Sequence, residues 1–236
     1  LASVANGDGA DVDAAVAAAR KEFDSGRWRN LGGSQRGIIL TKLADIMEER
    51  IDEISRLEAE EAGKPIAAAK AEIRYASQLI RYAASLAWNI SGRLMTDSGP
   101  EELSVVLVQP RGVVGIIVPW NYPVICLVQK LAFALAAGCS TIVKPSEFTA
   151  GTALLIARYA KEAGMPDGQI NVVIGEGATV GESLTSHPDI DMISFTGSSR
   201  VGAIIAEKCA RAHKYFALEL GGKSANIVFD DADLDA

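Results

Sequence analysis

Short apolar segments alternate with amphipathic ones through the second half of the chain, and this alternation restricts the fold more than any other feature. The first apolar segment, 113–118 (VVGIIV), has no polar side chain, which is typical of a strand buried on both faces of a parallel sheet. The pattern predicts strands at 113–118, 140–144, 170–174, 190–195, 215–219 and 224–229, and helices at 123–137, 150–163, 178–186 and 199–212. This order predicts an α/β fold, a Rossmann-like doubly wound parallel sheet with helices on both faces.

The first half of the chain has a helical pattern and carries no chemical motif. The predicted helices cover 10–24, 34–61 and 66–89. We expect Asp11 or Asp13 to cap the first of them and Ser34 to cap the second. A further β segment (ELSVVLVQ) precedes the first strand of the sheet, and Pro110 and Gly112 separate the two.

The composition excludes several classes of function. A net charge of −7 argues against a nucleic-acid partner, which would require a basic face. No window approaches the roughly 18 uninterrupted apolar residues of a membrane span. The two histidines show no metal-ligand spacing, so we expect no metal. Three scattered cysteines are too few for a disulfide framework, which favours a reducing, cytoplasmic location.

In an open parallel sheet, ligands bind beyond the carboxyl ends of the strands, so the residues that follow each strand are the candidates for function. Asn121 follows the first strand, in Pro119-Trp-Asn-Tyr-Pro123. Its side chain could cap the next helix. Alternatively, its NH₂ group could stabilise a developing oxyanion. The sequence leaves both readings open.

Lys144 and Glu147 follow the second strand, in the segment KPSE. They could form a solvated turn, or they could bind a nucleotide, with the carboxylate accepting hydrogen bonds from ribose hydroxyls. An acidic group at this position would disfavour a 2′-phosphate, so the second reading favours NAD over NADP.

Glycines follow the third and fourth strands. The spacing G-x-G-x-x-x-G over 175–181 is one residue too long for a dinucleotide fingerprint and is a weak signal by itself. Gly197 and Ser198 precede a predicted helix, whose free amides and dipole would suit a pyrophosphate. Together, the polar and small residues at successive strand ends predict a dinucleotide site.

Glu219 follows the fifth strand, in the segment LELGGKS. GGKS is not the end of a phosphate loop, because Ala217 stands where such a loop requires a glycine. Between Leu218 and Leu220, the Glu219 carboxylate is expected to be partly buried, which would make it a stronger base near neutral pH.

Four motifs in this order, PWNYP, GCSTIVKPSE, FTGSSRVG and LELGGKS, resemble those of the NAD(P)-dependent aldehyde dehydrogenases, and the resemblance extends over essentially the whole chain. It implies a helical part of the cofactor-binding domain at 1–95, a β-hairpin arm for homo-oligomerisation at 96–112, and a Rossmann-like NAD-binding core at 113–236.

The resemblance also implies roles for individual residues. Asn121 would stabilise the oxyanion of the covalent intermediates, and Glu219 would be the general base. The implied cofactor-binding residues are Pro119, Trp120, Lys144, Ser146, Glu147, Gly177, Gly181, Phe195, Thr196, Gly197, Ser198, Val201 and Leu220. The implied cofactor is NAD, with NADP less favoured.

The implied reaction is oxidation of an aldehyde to a carboxylic acid through a cysteine thioester. The family's nucleophile is a cysteine that lies downstream of the glutamate, and none of Cys126, Cys139 and Cys209 matches its context. We therefore expect this chain to be a fragment without the nucleophile, inactive by itself. The alternative is a non-catalytic NAD-binding or assembly module. Gln129, one helical turn beyond Cys126, hints at a polar wall in the substrate channel.

Overall fold

The computed structural model describes residues 3–97, 99 and 101–233. The helices are α1 (Gly9–Ser25), α2 (Gly33–Glu49), α3 (Ile51–Ala62), α4 (Ile66–Ala87), α5 (Pro123–Ala136), α6 (Gly151–Ala163), α7 (Glu182–Ser186) and α8 (Ser199–Arg211). The strands are β1 (Arg93–Met95), β2 (Ser104–Val106), β3 (Val113–Ile117), β4 (Ser140–Lys144), β5 (Ile170–Val172), β6 (Met192–Gly197) and β7 (Tyr215–Leu220).

Five strands form one parallel sheet in the order β5-β4-β3-β6-β7, which confirms the predicted α/β fold. From β3 the chain proceeds outward through β4 and β5, then returns to the other side of β3 as β6 and continues to β7. The strand order therefore reverses between β3 and β6. Ligands bind at such a reversal, beyond the carboxyl ends of the strands.

Each face of the sheet carries its own core. Val114, Ile116 and Val143 pack with the side chains of α2, α4, α5 and α6. Val113 and Ile142, which alternate with them along β3 and β4, pack with α1, α7 and α8 on the other face. Because side chains alternate along a strand, the continuous apolar pattern of 113–118 fills both cores at once.

Two side chains of the N-terminal helical region fix the carboxyl end of α5. The indole Nε1 of Trp28 donates a hydrogen bond to the carbonyl of Leu135 at 2.9 Å, and Nε of Arg36 donates to the carbonyl of Ala136 at 3.0 Å. Arg36 also donates to the carbonyl of Leu31. The bonds to Leu135 and Ala136 join the N-terminal helical region to the last turn of α5.

The structure corrects the predicted caps of the first two helices. The N-cap of α1 is Asp8, whose side chain accepts hydrogen bonds from the amides of Ala10 and Asp11, while the Asp11 carboxylate accepts one from the amide of Asp8. Asp11 is thus the reciprocal partner of the cap rather than the cap itself. Gly32, not Ser34, is the N-cap of α2, and it offers no side chain.

The predicted long helix over 34–61 is two helices. Arg50 interrupts it with φ −105° and ψ 27°, outside the helical region. An unbroken helix of that length would extend about 42 Å, well beyond the about 33 Å of α4, against which both α2 and α3 pack. The change of direction keeps both helices on the core, and the Arg50 guanidinium is held by Glu162 of α6 at 2.6 Å.

The predicted helix 178–186 begins as a π-helical turn, Gly177–Gly181, and continues as α7. The predicted strand at 224–229 is wrong, since no strand forms there among the described residues. Ser224 has a left-handed φ of 58°, which extended backbone excludes, and Ile227, Val228 and Phe229 are exposed. An apolar run becomes a strand only where a neighbouring strand pairs with it, and β7 has no such neighbour within the described ranges.

The predicted arm contains an antiparallel pair, β1 and β2, in which Arg93 lies opposite Val106. The pair therefore starts three residues before the predicted boundary at 96. Residues 98 and 100 of the predicted arm and 234–236 of the predicted core lie outside the described residues. The division into 1–95, 96–112 and 113–236 stays a prediction.

Candidate functional site

The parallel register brings the predicted site residues to one edge of the sheet. Ile117, at the end of β3, lies opposite both Lys144 of β4 and Phe195 of β6. Thr196 of β6 lies opposite Glu219 of β7. Four strands that are distant in sequence thus end side by side at one edge of the sheet. The predicted site lies in the crevice beyond this edge.

A cavity of about 450 Å³ opens in this crevice between the π-helical turn and α8. Five of the predicted cofactor-binding residues line it: Lys144, Gly177, Gly181, Phe195 and Val201. A side chain added at Gly177 would meet open space, and one at Gly181 would contact the Lys144 side chain. The two glycines leave the cavity wide enough for a flat apolar group beside the backbone.

Sequence reasoning missed other residues that line this cavity, among them Ile117, Arg200, Ile204 and Lys208. Arg200, Ile204 and Lys208 recur at intervals of four residues, so they share one face of α8. That spacing was visible in the sequence and could have identified them. Ile117 gave no such signal, because it belongs to a strand that is apolar throughout.

Lys144 is buried, with 4% of its surface exposed, at the carboxyl end of β4. Its Nζ donates a hydrogen bond to the carbonyl of Pro145 at 3.0 Å and lies 3.5 Å from Oε2 of Glu147. Burial lowers the pKa of Lys144, and the charge of Glu147 opposes this effect. The Glu147 carboxylate is partly exposed and remains accessible to a ligand. Ser146 shapes the turn, since its hydroxyl accepts a hydrogen bond from the Phe148 amide.

The turn between β6 and α8 presents a helix N-terminus to the crevice. Ser198 is the N-cap, and its hydroxyl accepts a hydrogen bond from the amide of Val201 at 3.3 Å. A side chain at Gly197 would collide with the Phe195 ring. Likewise, a side chain at Gly202 would collide with Leu220. The buried Phe195 ring leaves no room for a side chain at Gly197, whereas the exposed end of Leu220 could move aside at Gly202. The first turn of α8 has the polarity that favours an anion.

Asn121 lies in the exposed turn between β3 and α5. The N-cap of α5 is Tyr122, and no side chain caps this helix in the described part of the chain. The capping alternative for Asn121 is therefore wrong. Its amide is free to meet a ligand, and its role as an oxyanion donor stays a prediction.

Glu219 is exposed, and the expectation that its leucine neighbours bury it is wrong. The reason is topological, because β7 is an edge strand of the described sheet. Burial lowers the pKa of Lys130 on α5, and the charge of Glu219 opposes this shift. Glu219 is thus close enough for its charge to act on the ammonium of Lys130.

The cysteines do not form a nucleophilic centre. Cys139 and Cys209 are buried and Cys126 is half-buried. Burial raises the pKa of each thiol, which disfavours the reactive thiolate. Within the described ranges, no group of three or more His, Cys, Asp or Glu side chains could hold a metal ion. In the same ranges, no helix is both long and apolar enough to cross a membrane.

Comparison with known proteins agrees with this geometry. The model of the aldehyde dehydrogenase family matches residues 1–236. Aldehyde dehydrogenase 1 of Tanacetum cinerariifolium is 47% identical over 100% of this chain and 47% of its own length. Betaine aldehyde dehydrogenase of Bacillus subtilis is 41% identical over 100% of this chain and 48% of its own length.

Solved structures give the same result. An NAD-dependent aldehyde dehydrogenase of Sinorhizobium meliloti superimposes with a TM-score of 0.92 and 46% identity, over 98% of this chain and 46% of that one. Betaine aldehyde dehydrogenase of Staphylococcus aureus, in complex with NAD⁺, superimposes with a TM-score of 0.93 and 37% identity. That match also covers 98% of this chain and 46% of the other one. The chain thus spans about half the length of the relatives it matches. On sequence and structure alike, the chain belongs to the aldehyde dehydrogenase family.

Proposed function

We propose that this chain forms the NAD-binding part of an enzyme that oxidises an aldehyde to a carboxylic acid through a cysteine thioester. One observation supports the proposal: the carboxyl ends of β3, β4, β6 and β7 lie at one edge of the sheet, next to a glycine-walled cavity. Asn121 follows β3, and Glu219 lies on β7 beside Thr196 of β6.

The residues present fit a dinucleotide. The cavity of about 450 Å³ is in the size range of small-molecule sites, and its apolar walls suit an adenine ring. Lys144 and Glu147 would hold the adenosine ribose, and the first turn of α8 at Gly197 and Ser198 would face the pyrophosphate. The acidic Glu147 favours NAD over NADP. When bound, NAD supplies the acceptor for the hydride that leaves the substrate.

Asn121 and Glu219 would act on the substrate. The Asn121 side-chain NH₂ would donate a hydrogen bond to the oxygen on which negative charge develops. Glu219 would take a proton from the water that hydrolyses the thioester. The thiolate would come from a cysteine outside this sequence, because the three cysteines present are buried or half-buried scaffold residues.

The relatives support this reading. The Sinorhizobium meliloti protein is NAD-dependent, and the Staphylococcus aureus protein binds NAD⁺. We further propose a cytoplasmic, homo-oligomeric protein. The free cysteines favour a reducing compartment. The exposed apolar side chains of the arm, including Leu94, Val105 and Leu107, suit contact with a second copy.

Calorimetric titration of the chain with NAD and with NADP tests the proposal. We expect saturable NAD binding, with NADP at least tenfold weaker, and we expect Glu147→Gln to narrow that difference. Glu207→Gln, an exposed carboxylate on α8 paired with Arg211, is the matched control and should change neither affinity. A chain that is folded by circular dichroism but binds neither dinucleotide would contradict the proposal.

A further inference from the structure

Three charged side chains form a buried cluster on the helical layer, outside the cavity described above. The Lys64 ammonium lies 3.1 Å from Oε1 of Glu58 on α3 and 2.6 Å from Oε2 of Glu72 on α4. Glu58 is completely buried, and only 12% of the Lys64 and Glu72 side chains is exposed. One cation is thus shared between two carboxylates that solvent barely reaches.

One carboxylate oxygen of the cluster lacks a hydrogen-bond donor among the described residues. Among the described residues, no group donates a hydrogen bond to Oε2 of Glu58, although that atom is buried. Burial raises the pKa of Glu58 to about 7, with the neighbouring Glu72 adding to the shift and Lys64 opposing it. Burial lowers the pKa of Lys64, but Glu72 and Glu58 more than offset this, so its pKa is raised overall. Lys64 therefore stays charged while Glu58 changes its charge near neutrality.

The cluster contacts the turn that carries Asn121. The Lys64 ammonium lies 4.7 Å from the centroid of the Tyr122 ring, within the range of a cation–π interaction. Tyr122 is the N-cap of α5, with non-helical φ and ψ of −132° and 63°, and it directly follows Asn121. Cys126 of α5 also lies within reach of these charges, and Lys130, one helical turn further on, acts on Cys126 in turn.

We propose that Lys64 is a positioning residue: held by Glu58 and Glu72, its ammonium group braces the Tyr122 ring and so fixes the turn that presents Asn121. When Glu58 binds a proton, Lys64 loses one of its two ionic partners, and the brace on Tyr122 is weakened. When Glu58 is ionised, both carboxylates hold the ammonium against the ring. We call this contact between Lys64 and the Tyr122 ring the brace. It follows from the distances given above, and only its consequence for catalysis rests on the proposed function.

Nuclear magnetic resonance of the chain with ¹³C-labelled tyrosine tests the brace without requiring any activity. Tyr122→Phe assigns the Tyr122 resonance by its disappearance. We expect the Tyr122 ring signal to shift with pH, with a midpoint near 7, and we expect Glu58→Gln to abolish this titration. Glu60→Gln, an exposed carboxylate on the same helix paired with Arg56, is the matched control and should leave the titration intact.

A Tyr122 signal that does not change between pH 5.5 and 8.5 would overturn the proposal, and so would a titration that persists in Glu58→Gln. Lys64→Met should also remove the titration. If Lys64→Met does not fold, Glu58→Gln still tests the proposal. Glutamine has the shape of the protonated Glu58 side chain, so we expect this variant to fold.

A second experiment uses the complete enzyme. We expect the kcat of the parent to rise with pH through a midpoint near 7, and the kcat of Glu58→Gln to show no such rise. The Kd for NAD should differ less than twofold between the parent and the variant. A pH profile unchanged by Glu58→Gln would overturn the catalytic consequence. Absence of any aldehyde oxidation in the parent would instead overturn the proposed function. The Tyr122 titration would then still test whether Lys64 positions the Tyr122 ring.

Discussion

Oε1 of Glu61, on α3, accepts a hydrogen bond from the backbone amide of Gly151 at 3.0 Å, across the boundary between two helices. Gly151 is the first residue of α6, whose own N-cap, Ala150, has no side chain able to accept a bond. A side chain at Gly151 would come within 2.8 Å of the same oxygen. Glu61 thus supplies from a neighbouring helix the cap that α6 lacks, with a charge that suits the helix dipole.

Glu61→Ala should destabilise the fold, because it exposes the first amides of α6 without a partner. The expected loss is about 1–2 kcal/mol of the free energy of unfolding, the usual effect of removing an N-cap. Urea denaturation at pH 7.5 measures it. Glu60→Ala, the exposed neighbour, is the control and should cost less than 0.5 kcal/mol or so. Equal losses in the two variants would show that the bond to Gly151 contributes nothing.

Glu58→Gln should change how stability depends on pH. The Glu58 carboxyl has its usual pKa, near 4.5, in the unfolded chain and about 7 in the folded one. Between these values the folded state retains a proton that the unfolded state releases. This stabilising contribution is therefore complete below 4.5 and is lost as the pH rises to 7.

The free energy of unfolding should fall by up to ~3 kcal/mol between pH 4.5 and 7, as the size of the Glu58 pKa shift implies. Glu58→Gln should flatten the decline, because glutamine does not titrate. Urea denaturation at pH 5, 6, 7 and 8 compares the parent, Glu58→Gln and Glu60→Gln. If the free energy of unfolding depends on pH in the same way in the parent and in Glu58→Gln, Glu58 is not the group that titrates in this range.

Gly177→Val should weaken NAD binding without weakening the fold. A Cβ at Gly177 meets no protein atom within 4 Å, and the valine methyl groups would extend into the cavity where the adenine is expected. We expect the Kd for NAD to rise at least tenfold, with Tm changed by less than about 3 °C, in keeping with a surface substitution. Thr179→Val places the same side chain at an exposed position of the same turn and should bind NAD normally. Normal affinity in Gly177→Val would exclude this cavity as the adenine site.

Glu219→Gln should slow thioester hydrolysis in the complete enzyme by about 10²-fold or more, because glutamine cannot accept a proton from water. Glu219 does not line the cavity where the adenine is expected, so the Kd for NAD should change less than twofold. Rapid-quench measurement of the acyl-enzyme separates hydrolysis from acylation. The opposite pattern, a changed Kd for NAD with normal hydrolysis, would assign Glu219 to the cofactor rather than to the water.

The sequence predicted the features that depend on local pattern. The alternation after residue 113 predicted all five strands of the sheet and their parallel direction, because apolar segments that alternate with amphipathic ones are typical of a parallel sheet covered by helices. Lys144, Gly177 and Gly181 were found because they stand at strand ends and at the turn beyond. Residues of one α8 face, such as Arg200 and Lys208, were missed although their spacing was visible.

The errors concern features that depend on distant partners. The break at Arg50 depends on where α4 and α6 lie, which no local pattern encodes. The exposure of Glu219 depends on its strand being at an edge, and the strand expected at 224–229 depends on a neighbour that the described sheet does not offer. The cap of α1 is an exception, because it depends on a local pattern: Asp8 and Asp11, three residues apart, form a reciprocal pair that was visible in the sequence.

The attachment of α5 at its carboxyl end has a consequence for the opposite end of this helix. The guanidinium of Arg36 and the indole of Trp28 do not titrate near neutrality, so their bonds to Ala136 and Leu135 hold that end at every physiological pH. The opposite end meets the ammonium of Lys64 through Tyr122. A change of charge at Glu58 would therefore act on the amino end of α5, beside Asn121, and not on the carboxyl end that Trp28 and Arg36 hold.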